Sequence, residues 1–503
     1  MTITSSLGPD GYTVSIQSPV SGGGADYSAG IDCVIVGDSM TAVNALVTGV
    51  SAASRSGGVV TATVTGHGMA NGMTASFRNM VPNDFNANSV AVTRIDANTL
   101  QYSAPGADGA AASLSAQAAM IMLNGSRQPD SGYFFWLQSL SGGAFRMVRN
   151  AGANGQTSAH MLERYERDVL SVSAGLDIIR TGFNDFYWAG YTAAQVSSNV
   201  QEMAAKSIAA GRRVLIVGAI PWTGATTTAK TNAAAYNRRM SRWALNTPGA
   251  RFADAAARIV DATNAAKFSA LSGMLLSDGV HESPKGARET AAAIWAVLQS
   301  ETPRIQRLVS SNADNYGSIN TSLNVLDDCY WTSSGGNVTA PATGAAASGV
   351  NVTASATGSV VASVVSRSDG IGYNQRIVCT PSANNDWGMI GQNANMAISR
   401  VTLGGKIQLV CEVKKVNVSG SNLKGINIQV FFNGASVYTY AVQAVATSAN
   451  EYPQVDETMT VVSPEMSIPL TATSFNWSVQ ALYGAAGSAC TIELGRGSIE
   501  KLA

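Results

Sequence analysis

The chain has 503 residues with 32 basic and 32 acidic side chains, a formal net charge of zero, and only 13% of its residues are charged against about 25% in an average soluble protein. Such a composition offers no basic stripe for a phosphate backbone, which excludes a nucleic-acid partner from the expectations, and no run of about 18 apolar residues is present to cross a membrane as a helix. Five scattered cysteines (Cys33, Cys329, Cys379, Cys411 and Cys490), with no Cys-x-x-Cys or Cys/His cluster, predict neither a structural zinc nor a disulfide framework.

The length sets an expectation of about three domains. Residues 1–30 read as an N-terminal extension, and the absence of a basic start followed by an apolar stretch predicts no secretory signal. The apolar run Cys33-Val34-Ile35-Val36 then reads as a strand, and Gly37-Asp38-Ser39-Met40 as a strand-to-helix turn that presents a hydroxyl. Between 48 and 120 the periodicity becomes short and alternating, with runs at 59–65, 73–80, 89–95 and 99–103. Gly66-His67-Gly68, Pro82-Asn83-Asp84 and Asp96-Ala97-Asn98 separate them, which predicts a small inserted all-β module.

From 121 to 303 apolar runs alternate with helical patterns, the sequence form of a parallel sheet covered by helices on both faces: an α/β fold of three α/β/α layers. Strands are expected at 145–149, 176–180 and 214–221. Thr192 and Gln195 read as a capping box opening a helix to about Ala210, closed by Gly211. Ser283 and Pro284 read as the cap and first turn of a last helix through Leu298. After Pro303 the helical period stops, and strand runs at 360–365, 407–413, 426–432, 437–442 and 474–482 predict a C-terminal β domain over 304–503, sandwich or jelly-roll-like. Its expected task is carbohydrate binding or oligomerisation. Trp331, Trp387, Tyr438, Tyr440 and Trp477 could stack on sugars there or fill its core.

A serine hydroxyl is a weak nucleophile until a base takes its proton, and the base needs a carboxylate to hold its tautomer. Asp278-Gly279-Val280-His281 supplies both groups on one short loop, just before the last helix. The other two histidines suit the role less: His67 lies in a Gly-rich turn, and His160 early in a charged, solvated helix. Two further blocks follow strand-like runs, Asn150-Ala151-Gly152-Ala153-Asn154-Gly155 and Gly182-Phe183-Asn184-Asp185. A glycine lets a backbone N–H approach a substrate oxygen, and an asparagine amide can donate beside it.

The order Ser, Gly, Asn, His over residues 31–47 and 121–303 resembles the SGNH hydrolase superfamily, also called the GDSL esterase/lipase family. Residues 214–221, Tyr236-Asn237 and Phe252-Ala253-Asp254 resemble its supporting framework. The resemblance implies an SGNH-hydrolase fold with Ser39 as nucleophile, His281 as general base and Asp278 as the orienting carboxylate. It implies an oxyanion hole from the Ser39 N–H, the Gly152 N–H and the Asn184 amide, and no metal or organic cofactor.

Gly66-His67-Gly68-Met69-Ala70-Asn71-Gly72, with Asp96-Ala97-Asn98-Thr99-Leu100-Gln101-Tyr102, resembles small β modules recurrent in bacteriophage tail proteins. With the C-terminal β domain, the whole resembles a phage tailspike or tail fibre that carries an esterase. That likeness implies a virion component, homotrimeric and bound to other tail proteins, removing O-acetyl groups from bacterial cell-surface polysaccharide. The alternatives are a short-chain lipid or general ester hydrolase, disfavoured because no long apolar lid segment is visible, and a non-catalytic receptor-binding tail protein, against which the full residue set argues.

Overall fold

Five strands, Ile31–Gly37, Phe145–Gly152, Leu176–Arg180, Arg213–Val217 and Ala250–Ala253, pair in parallel to form the central sheet. Their spatial order places Phe145–Gly152 at one edge, then Ile31–Gly37, Leu176–Arg180, Arg213–Val217 and Ala250–Ala253. The computed structural model describes residues 30–502 except 46, 112, 123–126, 304–306, 310–314, 317–323 and 329. Most of the N-terminal extension and Cys329 therefore lie outside the described residues.

Successive side chains of a strand point to opposite faces, so a parallel strand buried on both faces reads as an unbroken apolar run. Cys33, Ile35, Ile178, Leu215 and Val217 pack on one side with the helices Tyr133–Leu140 and Pro284–Leu298. Val34, Val36, Ile179, Val214 and Ile216 pack on the other with Ala193–Ala209 and Thr227–Leu245. The helix ends follow their sequence signals. Thr192 accepts from the Gln195 N–H while Gln195 reaches back to Thr192, and Ser283 accepts from the Gly286 N–H with Pro284 in the first turn.

Register decides where the loops emerge. Gly37 lies opposite Gly152 on one side and Arg180 on the other, so three strands end level. The loops carrying Ser39, residues 153–157 and Asn184 leave the sheet side by side at its carboxyl edge, where open α/β sheets hold ligands.

The chain between the first two sheet strands folds as a separate eight-stranded sheet. In spatial order it runs Val47–Gly49, Ser113–Met122, Thr74–Val81, Ala87–Arg94, Thr99–Ser103, Val59–Thr63, Ala52–Ser56 and Gly109–Ala110. Its core includes Val60, Met73, Val92 and Leu100, with Phe77 stacked on Tyr102 at 3.8 Å between ring centres. His67 is buried within it, where Nδ1 accepts from the Met69 N–H at 3.0 Å.

The C-terminal region forms two sheets whose inner faces meet: a Cβ on Gly388 of one would fall 2.5 Å from the Cys379 Sγ of the other. Trp331 and Trp477 lie in this core, 5.6 Å apart and each 4% exposed, so of the aromatics singled out above these two fill space. Tyr438 stays 46% exposed. One feature departs from the sequence reading. Arg127–Pro129, expected to belong with the hydrolase strands and helices, adds in parallel to Val437–Gln443 at the edge of a C-terminal sheet. Asp130 then accepts from the Val445 N–H at 3.0 Å. A three-residue strand containing proline shows no alternation, so nothing in the sequence marks it. The helices Tyr133–Leu140 and Pro284–Leu298 share a continuous apolar core with the C-terminal sheets, and Arg288 pairs with Glu457 at 2.9 Å across this junction. No described helix is long and apolar enough to cross a membrane.

Candidate active site

Ser39 is the first residue of the short helix Ser39–Ala42, and the Asp38 carboxylate caps it by accepting the Met40 N–H at 3.0 Å. Being at the start of the helix, the Ser39 N–H has no acceptor among the described residues. Opposite it, His281 Nε2 lies 2.8 Å from Ser39 Oγ, and His281 Nδ1 lies 2.6 Å from Asp278 Oδ2. Asp278 Oδ1 also accepts the backbone N–H groups of Val280 and His281, at 2.9 and 3.0 Å. Partial burial raises the Asp278 pKa, but the His281 bond and these amides outweigh it and hold the carboxyl below its ordinary range. An ionised Asp278 keeps the proton on Nδ1 and leaves the Nε2 lone pair facing the serine hydroxyl.

Beneath this relay lies a buried charge cluster that the sequence reading did not foresee. Arg180, at the end of an apolar strand, donates to Glu282 at 2.7 Å, and both side chains are 2% exposed. The Thr290 hydroxyl donates to the other Glu282 oxygen. Glu282 directly follows His281, so the pair ties the histidine loop to the sheet. Burial pushes the Asp38 carboxyl up to about 6 despite the nearby Arg180 and the Met40 amide, which pull it down.

Asn184 is 3% exposed at the start of the helix Phe183–Tyr187. Its Nδ2 donates to the Gln156 carbonyl at 3.0 Å, leaving its second amide hydrogen uncommitted. The next residue, Asp185, anchors the turn by accepting from the Ser158 N–H, the Ser158 hydroxyl and the Thr181 hydroxyl.

Gly152 does not fill the role assigned to it from sequence. Its N–H is spent on Asn150 Oδ1 at 2.9 Å. It is a glycine because a Cβ there would fall 2.3 Å from the Ala42 nitrogen, under the nucleophile helix. Asn150 in turn donates to the Thr41 and Ala42 carbonyls at 3.2 and 3.1 Å, clamping that helix from below. The amides of Asn154 and Gly155 make no hydrogen bond among the described residues, and Gly155 takes φ +72°, a conformation that favours glycine. The motif thus holds two glycines with separate tasks, close packing at 152 and an open loop at 155. Only knowledge of where the Asn150 side chain turns separates them.

The inserted module also reaches the site. Asn79 takes φ +60° at an irregularity in the pairing of Thr74–Val81 with Ser113–Met122. Its Nδ2 donates to the Asn154 carbonyl at 3.1 Å, and Gln156 Nε2 donates to its Oδ1 at 2.8 Å. Gln156 therefore sits between Asn79 and Asn184. His160 is exposed, with Nδ1 accepting the Thr157 N–H at 3.2 Å in a helix cap, apart from the Ser39–His281–Asp278 relay. Among the described residues, no group of three or more His, Cys, Asp or Glu is arranged to hold a metal.

Residues 107–289 match the model of the GDSL-like Lipase/Acylhydrolase family. Similar solved structures include a GDSL-like lipase from Bacteroides thetaiotaomicron, 21% identical over 32% of this chain and 80% of that one, with a TM-score of 0.27. Another is a catalytic mutant of an acetylxylan esterase from Geobacillus stearothermophilus, 14% identical over 53% of this chain and 94% of that one, with a TM-score of 0.31. No curated protein matches the chain. The segment that matches the family model contains Asn184, Asp278 and His281, and Ser39 opens the short helix that follows the strand Ile31–Gly37 upstream of it: residues 107–289 of this chain belong to a hydrolase domain of the GDSL (SGNH) family.

Proposed function

We propose that the protein is a serine carboxylic ester hydrolase that removes O-acetyl groups from bacterial cell-surface polysaccharide as part of a phage tailspike. The observation that carries the enzymatic part is the unbroken relay from Ser39 Oγ through His281 to Asp278, at 2.8 and 2.6 Å. In this reading His281 Nε2 takes the Ser39 proton as Oγ attacks the ester carbonyl, and the Nδ1–H bond to Asp278 stabilises the imidazolium that forms. The developing oxyanion is met by the Ser39 N–H, the remaining Asn184 amide hydrogen and the Gly155 N–H. Such donors act where charge appears in the transition state. As the intermediate collapses and the bond to the sugar oxygen breaks, His281 gives its proton to that oxygen, which leaves as the sugar hydroxyl. Water, deprotonated by the same histidine, attacks the acyl-enzyme and releases acetate with Ser39 restored.

The substrate class and setting draw support from elsewhere in the chain. A surface with few charges suits a neutral glycan, no long apolar segment stands ready as a lipid lid, and the glycine-rich turns of the insert resemble those of tail proteins. A homotrimeric virion component acting at the cell surface is the arrangement that this likeness suggests. Acetate release from a panel of O-acetylated bacterial polysaccharides, run beside 4-nitrophenyl esters of increasing chain length, tests the reading. Acetate release with a steep fall in turnover from acetyl to octanoyl supports it. Equal or better octanoyl cleavage without acetate from any polysaccharide overturns it in favour of a lipase-like enzyme.

A further inference from the structure

The helix that carries Asn184 ends in two aromatic side chains that the hydrolytic step does not use. Tyr187 is 40% exposed and Trp188 is 73% exposed. They meet edge to face at 4.7 Å between ring centres, and Tyr187 stacks on Phe183 at 5.3 Å. Phe183 in turn meets the buried Trp222 edge to face at 5.4 Å. Thr223, the next residue, donates its N–H to the Gly279 carbonyl at 2.8 Å, inside the loop that holds Asp278 and His281. A continuous aromatic band therefore runs from the catalytic loop to the open indole. The backbone N–H of Trp188 donates to the Asn184 carbonyl at 3.2 Å, and residues four apart lie on the same side of a helix. The indole thus belongs to the wall from which Asn184 faces the ester.

The chemistry of this wall limits what it can hold. From Phe183 to Val200 the only charged residue is Asp185, which is buried and fully engaged with Ser158 and Thr181. Nothing in that stretch would attract a phosphate or a charged headgroup. Tyr187 braces one side of the indole, and most of the rest faces water. An acyl chain gains in proportion to the apolar area removed from water, so it favours apolar walls around it. A sugar ring can lay its C–H face on one aromatic ring while its hydroxyl edges stay hydrated, as amphipathic ligands do on Trp and Tyr.

The geometry points to Trp188, braced by Tyr187, as a stacking subsite for a pyranose ring of the glycan that bears the ester. The sugar is then held beside Asn184 with its acyl group toward Ser39. This rests on the carbohydrate-ester reading of the site, and the test separates the two. The full-length protein and its Trp188→Ala and Trp188→Phe variants are assayed on chemically O-acetylated xylo-oligosaccharide and on 4-nitrophenyl acetate, with Leu245→Ala, an exposed position on another helix, as control. In Trp188→Ala the ratio of the oligosaccharide KM to the 4-nitrophenyl acetate KM should rise about tenfold. Trp188→Phe should restore most of it. A ratio within twofold of the parent, or a larger KM rise for 4-nitrophenyl octanoate than for the oligosaccharide, overturns the subsite. If the parent cleaves 4-nitrophenyl acetate but releases acetate neither from the oligosaccharide nor from any polysaccharide of the panel above, the carbohydrate-esterase reading fails. The subsite is then judged by titrating the Ser39→Ala protein with unacetylated xylo-oligosaccharide: fluorescence quenching that Trp188→Ala removes supports it, and no quenching overturns it.

Discussion

Glu282→Gln preserves the shape of a side chain beside the catalytic histidine and removes its charge. Arg180 then keeps a full positive charge at 2% exposure, with its partner carboxylate gone. Leaving one member of a buried ion pair alone costs about 3–5 kcal/mol, whereas replacing both members by well-packed apolar residues is often close to neutral. Asp38 is the remaining acid near Arg180. Because burial has pushed it up to about 6, it is ionised at pH 8 and protonated near pH 5. The loss in Glu282→Gln should therefore fall at the low end of that range at pH 8 and grow on acidification. The double variant Arg180→Met/Glu282→Leu should recover most of the stability at either pH. Urea denaturation followed by tryptophan fluorescence and by residual esterase activity reads both quantities. Since the pair tethers the residue after His281, kcat should fall in Glu282→Gln more than KM changes. A loss below about 1 kcal/mol, or a double variant no more stable than the single one, would refute the reasoning.

Asn184→Ala should lower kcat by about 100–1000-fold with little change in KM, because the lost donor acts on the transition state; steady-state kinetics on 4-nitrophenyl acetate checks this, and a pure KM effect contradicts the role. Asp38→Asn should alter the pH dependence of stability. The native carboxyl titrates at about 6 against 3.8 for a free one, so its contribution is fully present below pH 4 and is lost as pH rises through 6. Denaturant midpoints at pH 4 and pH 7 should show the Asn variant gaining roughly 3 kcal/mol over the parent across that interval, and parallel profiles would contradict this. Asn79→Gly keeps the φ +60° backbone free of strain and deletes both hydrogen bonds to the 154–156 loop. At about 1 kcal/mol each, about 2 kcal/mol together, their loss should cost up to about thirtyfold in kcat with an unchanged circular dichroism spectrum. Unaltered kinetics would make the insert a bystander.

Much of the site was readable because its chemistry is local. Gly37-Asp38-Ser39 and Asp278-Gly279-Val280-His281 each follow the geometry of one turn, and the unbroken apolar run before Ser39 marks a strand buried on both faces. Ser39 and Asp278, joined to His281 on sequence grounds, each lie within hydrogen-bond distance of its ring. What stayed hidden depends on long-range contact. Arg180 and Glu282 meet across 102 residues, and an arginine closing an apolar strand looks like an ordinary edge residue. The choice between Gly152 and Gly155 turns on one side chain, Asn150, folding back on its own strand. Asn79 reaches the loop only because an irregularity in its strand rotates it there, and Arg127–Pro129 is too short to carry a period.

The most direct test of the central claim is to trap the nucleophile. A fluorophosphonate should react at Ser39 Oγ with loss of fluoride as His281 takes the proton, so intact mass followed by peptide mapping locates the reactive hydroxyl. The account expects one adduct per chain, on the peptide containing Ser39, with activity lost in step with labelling and no adduct in the His281→Ala protein. An adduct on another residue, or undiminished ester turnover by the Ser39→Ala protein, would contradict it.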